Sequence, residues 1–340
     1  MAKVFVTGGN GFIGTHLVEA LVARGDEVTC LVRATSNASR LDRAGARTVH
    51  GDVTEPDSLR TPLADAEIVY HLAGTTKALH KQDFWNVNEQ GVRNLLSACA
   101  ERETPPVVIS ISSLAAAGPA KNGSPLAEDA LPQPVSNYGR SKLAGEAAAR
   151  EFADRVPITI LRPPVVYGEG DPYSINVFRP IARLGFLYGP GLRRARFSMI
   201  HAADMAQAMI LAAEKGARLP PNIDQAARPS QGIYFAAGDE HPTFREWAKL
   251  IGSAFGRRRV LIVTPYGGQL IFPFAAISEL FGRLRRKPAI FNLDKAREIF
   301  AGSWWCSDAA LRRDTGFTPA ADLYSRLQQT ADWYRRQGWV

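Results

Sequence analysis

The sequence predicts an α/β fold: a doubly wound parallel sheet with a smaller C-terminal substrate-binding region. Three observations predict it. A glycine-punctuated turn joins the first strand to the first helix, short apolar runs then alternate with helical stretches, and that rhythm fades beyond about residue 165.

Lys3 to Val6 reads as a buried strand and Thr7 to Gly14 as the turn after it, with Gly8, Gly11 and Gly14 three residues apart. The helix that follows places Leu17, Val18, Leu21 and Val22 at helical intervals. Glycines there let the main chain approach a pyrophosphate, while the new helix offers unpaired N–H groups and the positive end of its dipole. A second strand, Glu27 to Val32, ends where a dinucleotide site reads its ribose. Thr48 to His50 then leads into Gly51-Asp52-Val53, Ile68 to Leu72 into Ala73-Gly74, and Val107 to Ile111 into Ser112-Ser113, with a helix around Asn88 to Leu96 between the last two.

Residues 115–137 form a loop past a strand's C-terminal end, where open α/β sheets bind ligands. A helix from Tyr138 to Asp154 and a strand from Ile158 to Leu161 complete a dinucleotide-binding domain of residues 1–165. Residues 166–340 are mainly the substrate-binding region. Within them, Arg196 to His201 is expected to return to the main sheet as a strand and Ala203 to Glu214 to follow as a helix, so that about 196–214 rejoin the first domain. The closing helix, through Leu323, Leu327, Trp333 and Tyr334, reads as structural.

Composition narrows the function. Hydrophobic residues at 46% and charged ones at 22% over 340 residues are globular values, enough for a sizeable core. The net charge of +8 is scattered and accompanied by no zinc-finger or aromatic-basic motif, so an anionic cofactor or substrate is expected and nucleic acid is not. Cys30, Cys99 and Cys306 are isolated and odd in number, which suits reduced thiols in a cytoplasmic protein and no metal site. The first residues run straight into a core strand and resemble no signal peptide. Leu261 to Phe281 is largely apolar, with Arg257-Arg258-Arg259 before it and Arg283, Arg285, Arg286 and Lys287 after it. Pro265, Gly267, Gly268, Gln269, Pro273 and Glu279 argue against a spanning helix. A helix covering the substrate pocket is expected, with peripheral membrane or lipid contact as the alternative.

The chemistry concentrates at Tyr138-Gly-Arg-Ser-Lys142, because positions four apart share one helix face. A free phenol titrates near ~10. A lysine beside it, together with an oxidised nicotinamide, is expected to favour the phenolate and bring Tyr138 toward a working base. Ser113, taken in preference to its neighbour Ser112, supplies a hydroxyl to hold a substrate oxygen.

Together these stretches resemble the extended short-chain dehydrogenase/reductases, the group described as NAD-dependent epimerase/dehydratase. TGGNGFIG (Thr7 to Gly14), GDVTE (Gly51 to Glu55), HLAG (His71 to Gly74), Asn88 before GVRNLL, SS (Ser112-Ser113), YGRSK (Tyr138 to Lys142), LRPPVVYG (Leu161 to Gly168) and MIHAADMAQA (Met199 to Ala208) fall in that family's order over the first two-thirds of the chain. The resemblance implies a Rossmann fold and the catalytic set Ser113, Tyr138 and Lys142, with Lys142 also holding the nicotinamide ribose. It implies a cofactor bed of Gly8, Asn10, Gly11, Phe12, Ile13 and Gly14. Asp52 and Val53 would flank the adenine, Leu72, Ala73 and Gly74 would line the channel, and Asn88, Ser112, Pro163 and Val165 would add contacts. Many relatives pair through a helix bundle, so a homodimer is also implied.

Two positions bear on cofactor and substrate. An NAD-selective site usually ends its second strand in Asp or Glu. Here Arg33 stands there, suited to a 2′-phosphate, with Arg40 as an assistant, so NADP is expected over NAD. Where sugar-nucleotide members of the family hold a diphosphate with Asn and Arg, this chain has Val165 and Phe197, although Asn176, Arg193, Arg194 and Arg196 are near in sequence. LRPPVVYGEGDP also resembles the 3β-hydroxysteroid dehydrogenase and dihydroflavonol reductase branch, and Phe186, Tyr188, Phe272, Phe274 and Trp304-Trp305 suit an apolar pocket. The expected function is hydride transfer between nicotinamide and a hydrophobic hydroxyl or ketone by a Ser-Tyr-Lys mechanism. A nucleotide-sugar epimerase or dehydratase is the alternative, and a non-catalytic nucleotide-sensing subunit the third.

Overall fold

The computed structural model describes residues 1–121, 123–189, 195–228, 230–263, 271–285 and 291–340. Its strands are β1 (Lys3–Thr7), β2 (Glu27–Val32), β3 (Arg47–His50), β4 (Ile68–His71), β5 (Val107–Ile111), β6 (Ile158–Arg162), β7 (Val165–Tyr167), β8 (Phe186–Tyr188), β9 (Met199–His201), β10 (Ile233–Phe235) and β11 (Leu261–Val263). Seven of them form one parallel sheet in the order β10-β6-β5-β4-β1-β2-β3. The chain winds outward from β1 in both directions, which leaves a crevice at the carboxyl ends of β1 and β4.

Period-two alternation along these strands builds two cores at once. Val4 and Val6 of β1, Cys30 of β2, Tyr70 of β4 and Ile109 of β5 enter the core that contains Leu17, Val18 and Leu21 of the first helix (Phe12–Ala23) and Met205 and Met209 of the helix Ala202–Lys215. Phe5, Leu31, Val69 and Val108 point the other way, into a core with Leu95 and Leu96 of the helix Gly91–Ala100 and Ala149 of the helix Asn137–Arg150. A third core joins Tyr167, Phe178 and Ile251 to Leu327 and Tyr334 of the closing helix Leu323–Arg336. That helix is also tied back by Arg326, whose guanidinium donates to the buried Asp204 carboxylate at 2.9 and 2.5 Å.

The return of the chain differs from the sequence expectation. The strand within 196–201 is Met199–His201, and it pairs in parallel with β7 as a separate two-stranded sheet rather than with the main sheet. The helix Ala202–Lys215 does rejoin the first domain, packing on the helix Phe12–Ala23. The seventh strand of the main sheet is β10, three residues too short to carry a periodic signal, which pairs with β6. Within Leu261 to Phe281 the ends are a short strand, β11 paired with β8, and the helix Ile271–Leu284. Pro265, Gly267, Gly268 and Gln269 lie outside the described residues. Among the described residues no helix is long and apolar enough to cross a membrane.

Candidate active site

The crevice at the β1/β4 switch is a cleft of about 610 Å³ lined by Gly8, Asn10, Gly11, Arg33, Asp52, Val53, Leu72, Ala73 and Gly74, among others. The glycine turn shapes one wall. Gly8 has φ +71°, and a Cβ there would stand 2.7 Å from the Ala73 nitrogen; a Cβ on Gly14 would stand 2.2 Å from the Gly8 carbonyl oxygen. Side chains at either position would fill the cradle. Gly11 caps the first helix without a side-chain acceptor, so its first-turn N–H groups remain for an anion. Glycines, orphan N–H groups and a long cleft fit a nicotinamide dinucleotide. The Thr7 hydroxyl fixes the junction, sitting 2.8 Å from His71 Nδ1 and accepting the Ala73 N–H at 3.2 Å.

Phe12, Ile13 and Gly14 sit in the first turn of that helix, behind the cleft wall. Asp52 folds its carboxylate onto its own loop, accepting from the Thr54 N–H at 2.9 Å and the Thr54 hydroxyl at 2.8 Å. Asn88 is buried in a π-helical turn, Asn86–Gln90. Its amide accepts from the Thr75 N–H and donates to the Thr75 carbonyl and the Ser141 hydroxyl, which ties the loop after β4 to the helix Asn137–Arg150. Its donors are thus spent on protein. Arg33 is exposed at the cleft rim and makes no ion pair with the described residues. Arg40 points elsewhere, its Nε donating to Glu19 at 3.0 Å.

Tyr138 and Lys142 lie on the helix Asn137–Arg150, which Ser136 caps by accepting the Gly139 N–H. Ser113 follows β5 and caps the short helix Leu114–Ala117. Its hydroxyl accepts the Ala115 N–H at 3.1 Å and acts to lower the pKa of Tyr138, whose ring packs near buried Phe84. Ser112 does not face the cleft. Its hydroxyl donates to the Glu146 carboxylate at 2.5 Å, beneath the helix, because successive residues of an extended strand point to opposite sides. Pro163 follows Arg162 at the end of β6, and its carbonyl accepts the Leu114 N–H. Val165 opens β7, partly exposed.

In the protein alone, burial pushes the Tyr138 phenol up to about 12, with the Ser113 hydrogen bond opposing. Burial likewise pushes Lys142 down to about 8, against the charge of Glu146. The lysine nitrogen donates to the Ile111 carbonyl at 2.5 Å. With no nicotinamide charge beside it, burial favours the protonated form of the Tyr138 phenol.

Four residues that sequence reading missed complete the site. Glu146 continues the Tyr138–Lys142 face by one more turn, a spacing visible in the sequence, and accepts from Arg162 at 2.8 and 2.6 Å in a fully enclosed ion pair. Asp294 and Glu298 arrive from the helix Leu293–Phe300. Asp294 accepts the Asn137 and Tyr138 N–H groups at 2.8 and 3.2 Å, and Glu298 accepts the Ser136 hydroxyl at 2.6 Å. Two carboxylates thus sit at the positive end of the helix that carries Tyr138. No local pattern links residues more than 150 positions apart.

The aromatics expected to suit an apolar pocket lie on several elements. Tyr188 is exposed, Phe272 and Phe274 lie on the helix Ile271–Leu284, and Trp304 donates its indole N–H to the Glu298 carbonyl at 2.7 Å. Phe197 bridges to Trp304. Arg193 and Arg194 lie outside the described residues. Cys30, Cys99 and Cys306 are free and buried.

Comparison with known proteins matches the fold and the family. A model of the family described as NAD dependent epimerase/dehydratase matches residues 4–224. A ceramide reductase of Caulobacter vibrioides is 31% identical over 99% of this chain and 96% of its own length. A 2-alkyl-3-oxoalkanoate reductase of Shewanella oneidensis is 24% identical over 97% of this chain and 85% of its own. The crystal structure of a UDP-glucose 4-epimerase of Thermotoga maritima superposes with a TM-score of 0.76 at 21% identity, covering 98% of this chain and 99% of that one.

Proposed function

The chain belongs to the NAD dependent epimerase/dehydratase family and is an oxidoreductase-type enzyme, and from that premise we propose that it reduces, or reversibly oxidises, a hydrophobic ketone/hydroxyl substrate with NADP. The observation that carries the reading is Tyr138 and Lys142 on one face of the helix Asn137–Arg150 with Ser113 just past the end of β5, and burial pushes the phenol up to about 12. A reduction needs an acid at the carbonyl oxygen, and a phenol with a raised pKa holds its proton until an alkoxide forms. Two similar proteins named as reductases of a ceramide and of an oxoalkanoate support an apolar, lipid-like ketone. Val165 and Phe197, where a diphosphate would need donors, support it further.

The cleft would hold a nicotinamide dinucleotide, which would supply or accept the hydride. The glycine turn and the first helix would hold its pyrophosphate, and Lys142, beside Gly74, would hold the nicotinamide ribose. Ser113 accepts or donates a hydrogen bond at the substrate oxygen and fixes the carbonyl. Tyr138 gives its phenolic proton to that oxygen in reduction and takes one back in oxidation. The Ile111 carbonyl and Glu146 keep Lys142 on the same face as Tyr138. Arg33 at the rim would meet a 2′-phosphate with its guanidinium fork.

NADPH consumption with a panel of long-chain and polycyclic ketones tests the reading. Turnover of at least one, lost in Tyr138→Phe, is the expected result. The competing reading is a nucleotide-sugar epimerase or dehydratase. It predicts that UDP, GDP or dTDP raises the melting temperature of the NADP-saturated protein, by about 2.7 kcal/mol of stabilisation at one hundred times its Kd. Such a rise without ketone reduction would replace the proposal.

A further inference from the structure

The helix Ile271–Leu284 is amphipathic in the reverse sense for a surface in contact with water alone. Its inner side rests on the helix Leu293–Phe300. Ala275 is buried, the Phe272 and Phe300 rings stand 5.6 Å apart, and Glu279 accepts the Leu293 N–H at 3.4 Å. The outer side is apolar. Phe274, Ile277, Leu280, Phe281 and Leu284 are 64%, 53%, 58%, 55% and 71% exposed. With 3.6 residues per turn they cover about 120° of the circumference in one continuous stripe. Surface helices of globular proteins turn such a stripe inward, and a contiguous exposed one marks contact with another apolar phase.

The charge pattern favours a lipid surface as that phase. Arg285 is exposed at the C-terminal end of the stripe, and the sequence there also carries Arg283, Arg286 and Lys287, with no acid between Glu279 and Asp294. A second copy of the chain laid on this face would bring the same apolar stripe without an acidic counterpart, since the helix's one acid, Glu279, is turned inward. An anionic bilayer supplies both complements, acyl chains for the stripe and headgroups for the exposed Arg285.

We propose that the helix Ile271–Leu284 lies in the surface of an anionic lipid bilayer, with its apolar stripe among the upper acyl chains and Arg285 at the phosphates. The helix it rests on, Leu293–Phe300, is the one whose Asp294 and Glu298 hold the start of the Tyr138 helix. Docking therefore sets the candidate active site one helix layer from the membrane. The benefit of that position, access to a lipid-like ketone, rests on the function proposed above; the docking itself does not.

The test is co-sedimentation of the full chain with vesicles of phosphatidylcholine alone and of phosphatidylcholine with phosphatidylglycerol, at low and high salt. The variants are Phe281→Asp/Leu284→Asp and Arg285→Glu, with the melting temperature as the folding control because all three side chains are exposed. Wild type is expected to bind the anionic vesicles at least tenfold more strongly than the neutral ones, to lose that preference at high salt, and to lose at least tenfold in the double variant. No binding of wild type at low salt, equal binding by the double variant, or a dimer that the double variant splits without any vesicle binding would each overturn the proposal. Neither cofactor nor substrate enters the assay, so its failure leaves the ketone-reductase reading standing, and failure of that reading leaves the vesicle result intact.

Discussion

Replacing Glu146 by Gln removes one charge from an enclosed pair and leaves the other. Arg162 is 2% exposed and Glu146 4%, and two charge-assisted hydrogen bonds of 2.8 and 2.6 Å join them, with the Ser112 hydroxyl as a third donor to the same carboxylate. The variant keeps one acceptor oxygen but turns an amide NH2 toward a guanidinium that has no water to fall back on. Breaking such a pair on one side costs about 3–5 kcal/mol, against a total stability on the order of 5–15 kcal/mol. Replacing both partners by apolar residues of similar volume, Glu146→Leu with Arg162→Met, costs far less, because no uncompensated charge remains. Reversible urea unfolding followed by tryptophan fluorescence measures both. The expected pattern is a large loss in each single variant and a coupling energy of about 2–3 kcal/mol of opposite sign in the double. Single variants that each lose under about 1 kcal/mol, or a double variant that loses the sum, would refute the claim that this pair anchors β5 and β6 beneath the Tyr138 helix.

Four further outcomes follow from the same structure. Tyr138→Phe keeps the ring packing against Phe84 but removes the proton donor, so kcat is expected to fall by about 10²–10⁴ with cofactor affinity retained, as read by NADPH consumption and cofactor titration. Lys142 has its folded pKa pushed down to about 8 from 10.5, so the unfolded chain binds more protons between those values and stability rises with pH across that window, by up to about 1.4 kcal/mol per pH unit. The difference in unfolding free energy between wild type and Lys142→Met, measured between pH 8 and 10, is expected to rise accordingly; a flat difference would remove the desolvated lysine. Arg33→Ala is expected to raise KM for NADPH roughly tenfold or more and leave KM for NADH within about twofold, about 1.4 kcal/mol of selectivity. Asp294→Ala uncaps the first N–H groups of the Tyr138 helix and is expected to cost about 1–2 kcal/mol in urea unfolding, together with a fall in kcat.

What the sequence determined by itself is what short spacings control. Three glycines at intervals of three after a buried strand dictate a tight turn into a helix, and the cleft formed there. Four-residue spacing puts Tyr138 and Lys142 on one helical face, and alternating apolar runs dictate a parallel sheet with a core on each side. These follow from backbone geometry within a few residues. Tertiary structure alone decided the rest. The three residues of β10 become the seventh strand only because β6 offers them a ladder edge, and Met199–His201 finds β7 rather than the main sheet. Glu146 was one turn beyond a motif already in view, but its partner Arg162 lies on a strand that the fold slides beneath the helix. Asp294 reaches Asn137 across 157 positions. The apolar length of Leu261 to Phe281 was plain from composition, whereas the outward aim of its stripe depends on which side of the helix meets Leu293–Phe300. The same division governs Tyr138. Its spacing from Lys142 is local, but the desolvation that holds its proton comes from everything packed around it.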